Sequence, residues 1–378
     1  MLKHHLITPG PTPVDPDVLL AMARPMIHHR GAAFKEIFQG VRDGLRWLFQ
    51  TQSDVLTLSC TGTGAFEAAI INFTRREDTL VAIGGGKFGE RWGEIAQAYG
   101  MNVIAMNVEW GQHATPEALA KVLEANPDVS MVTLCASETS TGVYHPVKEL
   151  LEVVREKTNA LIAVDAITAL GVHELPMDEW GIDIVVAGSQ KAFSLPPGLG
   201  FVAVSERAWE RADEADHPRY YLDLRKEKKA QSKNQTAFTA AVSLVIGLEV
   251  VLGKMRAEGL ENMIARHAML AKATREGVVA LGLETFASRP ANSVTTVQVP
   301  GLDPSVLVSK MKADGVFMAG GQDHLKDSTF RIGHLGFYDE SDILTALCAL
   351  ERALQSVGHD FIPGSGVSAA QKVFLENP

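Results

Sequence analysis

The sequence predicts an α/β fold, in which helices cover both faces of a mostly parallel sheet and a smaller α+β domain follows. From about residue 55, short apolar runs alternate with amphipathic runs of helical period. The apolar runs are nearly continuous, as in strands that are buried on both faces of a sheet. After about residue 238 the pattern changes, and two long helical stretches lead into a mixture of short strands and helices.

The elements can be placed in order along the chain. Thr115 and Pro116 predict a helix start, with a capping hydroxyl followed by proline at the first helical position. The other predicted helices cover residues 65–73, 88–99, 146–157, 239–256, 260–281, 304–313 and 342–354. The predicted strands cover residues 55–59, 79–83, 101–106, 129–135, 160–164, 182–187, 199–204, 294–299 and 330–333.

This order predicts two domains, which a chain of 378 residues is long enough to build around separate cores. We expect an N-terminal segment over residues 1–15, a large domain with the functional site over 16–250, and a small C-terminal domain over 251–362. Residues 363–378 have weak periodicity, which predicts a loosely packed tail.

The charge of the chain narrows its function. A formal net charge of −10 argues against nucleic acid as the main partner, because phosphate binding needs an excess of clustered cations. The one basic run, residues 225–233, is interrupted by Glu227 and is predicted to be a solvated loop rather than a binding patch.

Cysteine usage and hydropathy predict a soluble, cytoplasmic protein with no membrane partner. Cys60, Cys135 and Cys348 are odd in number and far apart, which predicts neither a disulfide framework nor a metal knuckle. The first residues lack the apolar segment of a signal peptide, and the most apolar stretch, residues 242–252, is too short to span a membrane.

Three features follow predicted strands, at the sheet edge where open α/β folds bind ligands. The first is the run from Ser59 to Gly64, SCTGTG, between a strand and a helix. Small residues, threonine hydroxyls and a helix N-terminus together favour an anion such as a phosphate. A tight strand–helix turn is an equal alternative, and the run lacks the GxGxxG pattern of dinucleotide sites.

The other two features are Asp165 and Lys191. A carboxylate at a strand end is often only a turn residue, but opposite a ring nitrogen it would favour the protonated ring. Lys191 follows a buried strand and precedes Pro196 and Pro197, a setting that poorly suits a solubilising surface charge. A lysine of depressed pKa is the nucleophile needed to form an imine with an aldehyde cofactor.

Arg331 lies in a short predicted strand with apolar neighbours on both sides, which suggests partial burial. A buried guanidinium needs a planar anionic partner. A structural ion pair and a substrate carboxylate are equally good interpretations from the sequence alone.

These pieces, in this order, resemble the class V aminotransferases of fold type I, and in particular the alanine–glyoxylate and serine–glyoxylate (serine–pyruvate) group. The resemblance runs through most of the chain. Its motifs are TPGPTPV from Thr8, HR at His29, TGTGAFEAA from Thr61, FGERW from Phe88, ETSTGV from Glu138, VDAITALG from Val164, WGIDIVVAGSQKAFSLPPGLG from Trp180, EGLENMIARH from Glu258 and FRIGHLG from Phe330.

The resemblance implies a seven-stranded type of sheet, pyridoxal 5′-phosphate as cofactor, and a role for each matching residue. Lys191 would bind the cofactor as a Schiff base and move protons, and Asp165 would pair with the pyridine nitrogen. Arg331 would bind the substrate carboxylate. The residues that would contact the cofactor are Thr61, Gly62, Thr63, Phe88, Thr139, Asp165, Ile167, Gln190, Lys191, Thr236 and Thr239.

The resemblance further implies a homodimer, in which the segment from Thr236 to Thr239 completes the phosphate site of the partner subunit. Two positions depart from the family pattern. The family commonly has Thr-Pro in that segment, where this chain has Thr239-Ala240, and it often has tryptophan where this chain has Phe88. The phenylalanine keeps the stacking surface but lacks the indole N–H.

The implied reaction moves the amino group of serine or alanine to glyoxylate or pyruvate in two steps. Other members of the class are alternatives, namely phosphonate or ureidoglycine transaminases and cysteine lyases or desulfurases. Cys348 lies in an apolar helical run and is predicted to be a core residue, which disfavours a desulfurase. No metal motif such as HExxH is present, and His334 is better explained as structural than as a lining of the substrate entrance. A non-catalytic cofactor-binding protein would not need the lysine, the aspartate and the arginine together.

Overall fold

The computed structural model describes residues 3–376. The strands are β1 (His5–Leu6), β2 (Asp54–Leu58), β3 (Thr79–Ile83), β4 (Asn102–Met106), β5 (Met131–Cys135), β6 (Ser137–Glu138), β7 (Val143–Tyr144), β8 (Leu161–Asp165), β9 (Ile184–Gly188), β10 (Gly200–Val204), β11 (Glu284–Thr285), β12 (Val294–Gln298), β13 (Val316–Phe317), β14 (Ala319–Gly320) and β15 (Thr329–Gly333).

The helices alternate with these strands and pack on them. They are α1 (Pro16–Met22), α2 (Ala32–Phe49), α3 (Gly62–Ile71), α4 (Lys87–Ala98), α5 (Pro116–Ala125), α6 (Val147–Lys157), α7 (Glu206–Arg211), α8 (Leu224–Gln231), α9 (Val242–Glu258), α10 (Leu260–Ala280), α11 (Pro304–Ala313), α12 (Glu340–Ser356) and α13 (Ser365–Glu376), with a short 3-10 turn at Asp323–Leu325.

The main sheet has seven strands in the order β2-β10-β9-β8-β5-β3-β4. All neighbours are parallel except β10, which runs antiparallel to both β2 and β9. The buried strands are nearly all apolar, and separate hydrophobic clusters cover the two faces of the sheet. The predicted mostly parallel sheet, covered on both sides, is therefore confirmed.

A second sheet of four antiparallel strands, in the order β11-β12-β15-β14, has its own hydrophobic cluster with α10, α11, α12 and α13. The N-terminal β1 pairs in parallel with β13 on this side of the molecule. The predicted boundary between residues 250 and 251 falls inside α9, and the division into domains stays a prediction.

The structure corrects two predictions about local structure. Residues 225–233 are not a loop, because α8 covers most of the run: Asp223 caps it, and Leu224, Glu227 and Gln231 form a buried stripe at helical spacing. Because most residues of the run are charged, its composition predicted a loop and did not reveal the buried stripe.

The C-terminal tail is also not loosely packed over the described residues. In α13, the buried side includes Ala370, Val373 and Phe374, and the helix packs closely on α10. A Cβ added at Gly277 would lie 3.0 Å from the carbonyl oxygen of Gly366, so glycine allows these two helices to approach. Residues 377 and 378 lie outside the described part of the chain.

Cys348 is exposed, so the prediction of a core residue is wrong for its side chain, although its helix is correct. The buried stripe of α12 contains Ile343, Ala346, Leu347 and Leu350, and position 348 falls outside it. The thiol nevertheless lies on a regular helix, whereas the desulfurase alternative requires a cysteine on a mobile loop.

Candidate active site

Lys191 follows β9, with its buried side chain against the N-terminal segment. Its Nζ donates a hydrogen bond of 2.9 Å to the main-chain carbonyl of Pro9. A Cβ on Gly10, whose φ is +142°, would lie 2.1 Å from this nitrogen, so only glycine fits there. Burial, and after it the charge of Arg331, lowers the pKa of Lys191 to about 8, while Asp165 acts in the opposite direction. The amine is therefore more often neutral and nucleophilic than that of an exposed lysine.

Asp165 is the last residue of β8, and its carboxylate is buried. One oxygen accepts a hydrogen bond from the amide of Ile167 at 2.7 Å, and the other lies 3.2 Å from the Sγ of Cys135. Burial raises the pKa of Asp165 to about 7, and the two hydrogen bonds oppose that rise. Sequence reasoning gave Cys135 no such role. The available signal was its place at the end of β5, directly opposite Asp165 in the strand ladder.

The anion-loop residues lie at the start of α3. Thr61 is the N-cap residue, and its side chain makes no capping hydrogen bond. A Cβ on Gly62 would lie 2.5 Å from the Cδ1 of Ile167, so this glycine allows close packing against the residue two after Asp165. Thr61 and Thr63 are exposed. Over residues 3–376, the Oε1 of Gln190 is buried without a hydrogen-bond partner. The buried Gln190 oxygen, which follows β9, is therefore available to a ligand at this loop.

Phe88 is held by the N-terminus of α4, which a buried carboxylate fixes in place. Glu138 accepts hydrogen bonds from the amides of Phe88 and Gly89 at 3.0 and 2.8 Å. Its other oxygen accepts bonds from the amide and hydroxyl of Ser140 at 3.0 and 2.6 Å. Burial raises the pKa of Glu138, and these hydrogen bonds oppose the rise. In the sequence Glu138 stood out only as part of a motif, and its link between the 137–140 loop and the start of α4 was not predicted.

Arg331 is buried in the middle of β15. Its Nε donates to the carbonyl of Gly320 at 3.0 Å, and its Nη1 donates to the carbonyl of Thr139 at 3.1 Å. No carboxylate lies within ion-pair distance of it in the part of the chain that the structure describes. Burial lowers the pKa of Arg331 to about 10, and the charge of Glu138 opposes this. The structural ion pair that the sequence left open is therefore not formed, and the guanidinium has donors left for an anion.

Thr139 is buried in the loop after β6, and its hydroxyl lies 3.1 Å from the hydroxyl of Thr168. Thr168 in turn donates to the carbonyl of Ser137 at 2.8 Å. The loop from 137 to 140 is thus fixed by its own hydrogen bonds beside both Arg331 and the start of α4.

Thr236 and Thr239 lie in the segment between α8 and α9. Thr236 is buried and donates to the carbonyl of Phe238 at 2.6 Å, whereas Thr239 is exposed. Both line a small cavity with Leu58 and Ser59, at the end of the strand that leads into the anion loop. Their role toward the cofactor of a partner subunit stays a prediction.

His334 is buried, with both ring nitrogens in hydrogen bonds to its own part of the fold. Nδ1 lies 2.8 Å from the carbonyl of Asn292, and Nε2 lies 2.9 Å from the hydroxyl of Thr295. Burial lowers the pKa of His334 to about 3. These contacts favour the structural interpretation of this histidine.

The remaining cysteine near the site is not activated. Burial raises the pKa of Cys60 to about 12, the opposite of what a thiolate nucleophile needs. Between residues 3 and 376 no group of three or more His, Cys, Asp and Glu side chains is placed to hold a metal ion. None of the helices within that range is long and apolar enough to cross a membrane.

Comparison with known proteins places this site in context. Residues 10–342 match the family model described as aminotransferase class-V. The soluble hydrogenase 42 kDa subunit of Anabaena cylindrica is 46% identical over 98% of this chain and 99% of its own. The serine–glyoxylate aminotransferase of Methylorubrum extorquens is 32% identical over 100% of this chain and 97% of its own.

Among solved structures, an aspartate aminotransferase from Thermus thermophilus is 34% identical and superposes with a TM-score of 0.88. The match covers 93% of this chain and 99% of that one. The two chains therefore share their fold over most of their length.

Proposed function

Because this chain belongs to the class V aminotransferases, which depend on pyridoxal phosphate, we propose that it moves the amino group of serine or alanine to glyoxylate or pyruvate by a ping-pong mechanism. One observation carries the proposal: the Lys191 amine is buried, has its pKa lowered to about 8, and lies within the electrostatic influence of both Asp165 and Arg331. We therefore assign Lys191 as nucleophile and acid–base group and Arg331 as ligand of the substrate carboxylate.

The residues of the chain fit this cofactor. Gln190 keeps a buried oxygen without a partner among the described residues, and Gly62 leaves room where a side chain would collide with Ile167. A buried carboxylate at Asp165 suits a protonated ring nitrogen, because an opposite charge offsets the cost of burial. The residues to which we assign cofactor binding are Thr61, Gly62, Thr63, Phe88, Thr139, Asp165, Ile167, Gln190 and Lys191.

When bound, the cofactor supplies an electron sink that lowers the cost of removing a proton from the α-carbon of the substrate. Lys191 Nζ would be the base that accepts this proton and, within the same half-reaction, delivers it to the C4′ carbon of the cofactor; in the second half-reaction it would move a proton in the reverse direction. Its lowered pKa favours the neutral form that can accept a proton. The Pro9 carbonyl holds the amine in one position while it is not covalently bound.

Arg331 orients the substrate. Its fixed bonds to Gly320 and Thr139 hold the guanidinium in place, and its remaining donors face no carboxylate of the chain between residues 3 and 376. A planar guanidinium binds a carboxylate through two parallel hydrogen bonds. An Arg331→Met variant should therefore raise KM by roughly 10- to 100-fold, and Arg331→Lys should recover only part of the loss.

The proposal includes a homodimer in which Thr236 and Thr239 reach the cofactor phosphate of the partner subunit, and a cytoplasmic location. Thr61 and Thr63 are exposed in the single chain, which leaves the outer side of the anion loop open to a second subunit. If the protein loses affinity for the cofactor when it is diluted below the concentration at which the dimer dissociates, the arrangement is supported. A monomer that binds the cofactor in full would refute it.

An absorbance titration of the purified enzyme tests the substrates. Serine or alanine should bleach the visible band of the bound cofactor, and glyoxylate or pyruvate should restore it. Faster bleaching by aspartate or glutamate would show that the proposed donors are wrong, and the aspartate aminotransferase from Thermus thermophilus makes that the rival outcome to test. A band that no amino acid bleaches would favour a non-catalytic cofactor-binding protein.

A further inference from the structure

We propose that Arg91 is an additional ligand of the cofactor phosphate and supplies the cationic side chain that the anion loop itself lacks. The proposal rests on the cofactor and site proposed above. Nη1 of Arg91 lies 3.4 Å from the hydroxyl of Thr63, on the exposed side of that loop. The guanidinium therefore borders the same residues that the sequence assigns to an anion.

The position of Arg91 is set by its helix. It lies three residues after Phe88 in α4, so that both side chains project from one face. The guanidinium lies 4.8 Å from the centroid of the Phe88 ring, in a cation–π arrangement. Glu138 fixes the first turn of this helix through the amides of Phe88 and Gly89. Ring and cation are therefore held together as one unit beside the loop.

The charge of Arg91 is not used elsewhere. No carboxylate lies within ion-pair distance of Arg91 over residues 3–376, whereas Arg155 and Arg207 both pair with Asp183. Its field reaches the active centre, because it contributes to the lowered pKa of Lys191. An arginine that touches Thr63 and Phe88 but no carboxylate, in a chain of net charge −10, is poorly explained as a general surface charge.

A phosphate monoester needs this charge. It carries a charge of about −1.5 to −2 at neutral pH. The N-terminus of a helix such as α3 supplies only about half a positive charge, and threonine hydroxyls supply none. A guanidinium adds a full charge and a fork of donors that matches phosphate oxygens. Arg91 is only partly buried, which leaves its side chain free to turn toward such a ligand.

The experiment compares cofactor binding with and without the phosphate. Apoenzymes of the wild type, Arg91→Met and Arg91→Lys are titrated with pyridoxal phosphate and with pyridoxal, and inorganic phosphate is used as a competitor. Arg91→Met should weaken pyridoxal phosphate binding by roughly 10- to 100-fold and leave pyridoxal binding unchanged. Arg91→Lys should recover part of the loss. Arg352→Met, which removes an exposed ion pair between α12 and Asp314 at the end of α11, is the matched control and should bind both ligands normally.

Three outcomes would overturn the proposal. Equal loss of both ligands would show that Arg91 only supports Phe88. Unchanged cofactor binding with a raised KM for aspartate would assign Arg91 to a second carboxylate of a substrate. Unchanged behaviour toward every ligand would leave it no role at this site. If the wild type itself bound no pyridoxal phosphate, the proposed function would be wrong as well. Wild-type binding therefore distinguishes a failure of the proposed function from a failure of the Arg91 proposal alone.

Discussion

The two ends of the candidate site differ in their contact with water. At one end, Lys191 and Asp165 are 9% and 3% exposed, and the pKa values of both groups are shifted by burial. At the other end, Thr61 and Thr63 are exposed and Arg91 is partly exposed. We call the buried end, with Lys191 and Asp165, the dry end, and the exposed end, with Thr61, Thr63 and Arg91, the wet end. We infer that protons are moved at the dry end, where a nearby charge shifts a pKa strongly, and that the cofactor is anchored at the wet end, where geometry and net charge matter more.

The largest expected effect is at the dry end. Lys191→Ala removes the nucleophile and base, so turnover should fall by at least about 10³-fold. Steady-state kinetics of transamination measure this fall. Lys254→Ala, which alters an exposed lysine paired with Asp15 and Asp17, is the control for general damage. Normal turnover in the Lys191 variant would remove the basis of the comparison.

The second prediction concerns the cofactor-free protein and Asp165. Burial raises its pKa from 3.8 to about 7, so in this pH range the folded chain keeps a proton that the unfolded chain has lost. The contribution of Asp165 to the free energy of unfolding should therefore fall as pH rises from about 4 to about 7, by at most about 4 kcal/mol, since one pKa unit is about 1.4 kcal/mol. The buried His145, His173 and His334, whose pKa values burial lowers, contribute in the opposite direction, so the Asp165 contribution is read as a difference from a variant. Urea unfolding at several pH values measures it.

Asp165→Asn removes this contribution, because the amide does not titrate, so the wild type should lose stability relative to the variant as pH rises from about 4 to about 7. If the unfolding free energy depended on pH with the same slope in the variant and the wild type, the titration would belong to other groups. The proposed difference between the two ends of the site would then lack support.

The third prediction separates the two ends by salt. Raising ionic strength from about 0.01 M to about 1 M shortens the Debye length from about 30 Å to about 3 Å, which screens exposed charges far more than buried ones. Cofactor affinity should therefore fall several-fold, while the pH at which Lys191 titrates should stay nearly constant. Equilibrium dialysis and the pH dependence of cofactor capture measure the two quantities. Equal sensitivity of both would contradict the division into wet and dry ends.

The smallest effect is expected at Cys135, which donates to Asp165 at 3.2 Å. Its removal in Cys135→Ala should raise the pKa of Asp165, because the hydrogen bond stabilises the carboxylate. A thiol is a weak donor, so the pH at which the Asp165 contribution to stability changes should move up by less than about one unit. Cys135→Ser keeps a donor and should move it less. An unmoved midpoint in the alanine variant would mean that the thiol donates to the Ser137 carbonyl, also 3.2 Å away.

The sequence predicted the large sheet well, because its strands are buried on both faces and are nearly all apolar. It failed where the pattern was mixed. In α8 four cationic side chains lie among the buried Leu224, Glu227 and Gln231, and in α12 a cysteine within an apolar run faces outward. Composition alone does not give the direction in which a side chain points.

The candidate site follows the same rule. The motifs singled out Lys191, Asp165 and Arg331 as candidates, and the structure shows that all three side chains are buried. The motifs did not indicate the Pro9 carbonyl, which any residue could supply, or Glu138, whose four hydrogen bonds depend on how two distant loops meet. Contacts of this kind exist only in three dimensions.

The hydrogen bond from Lys191 to Pro9 also bears on how the protein is made. It joins residues 182 positions apart, and the bond from Arg331 to Thr139 joins residues 192 positions apart. On the ribosome, the nascent chain has both Pro9 and Lys191 long before it has Arg331. The strand that receives the N-terminal segment, β13, also comes late in the chain. A nascent chain that ends before β13 and Arg331 therefore lacks these contacts, and we infer that the candidate site is completed only when the C-terminal part of the chain has been made.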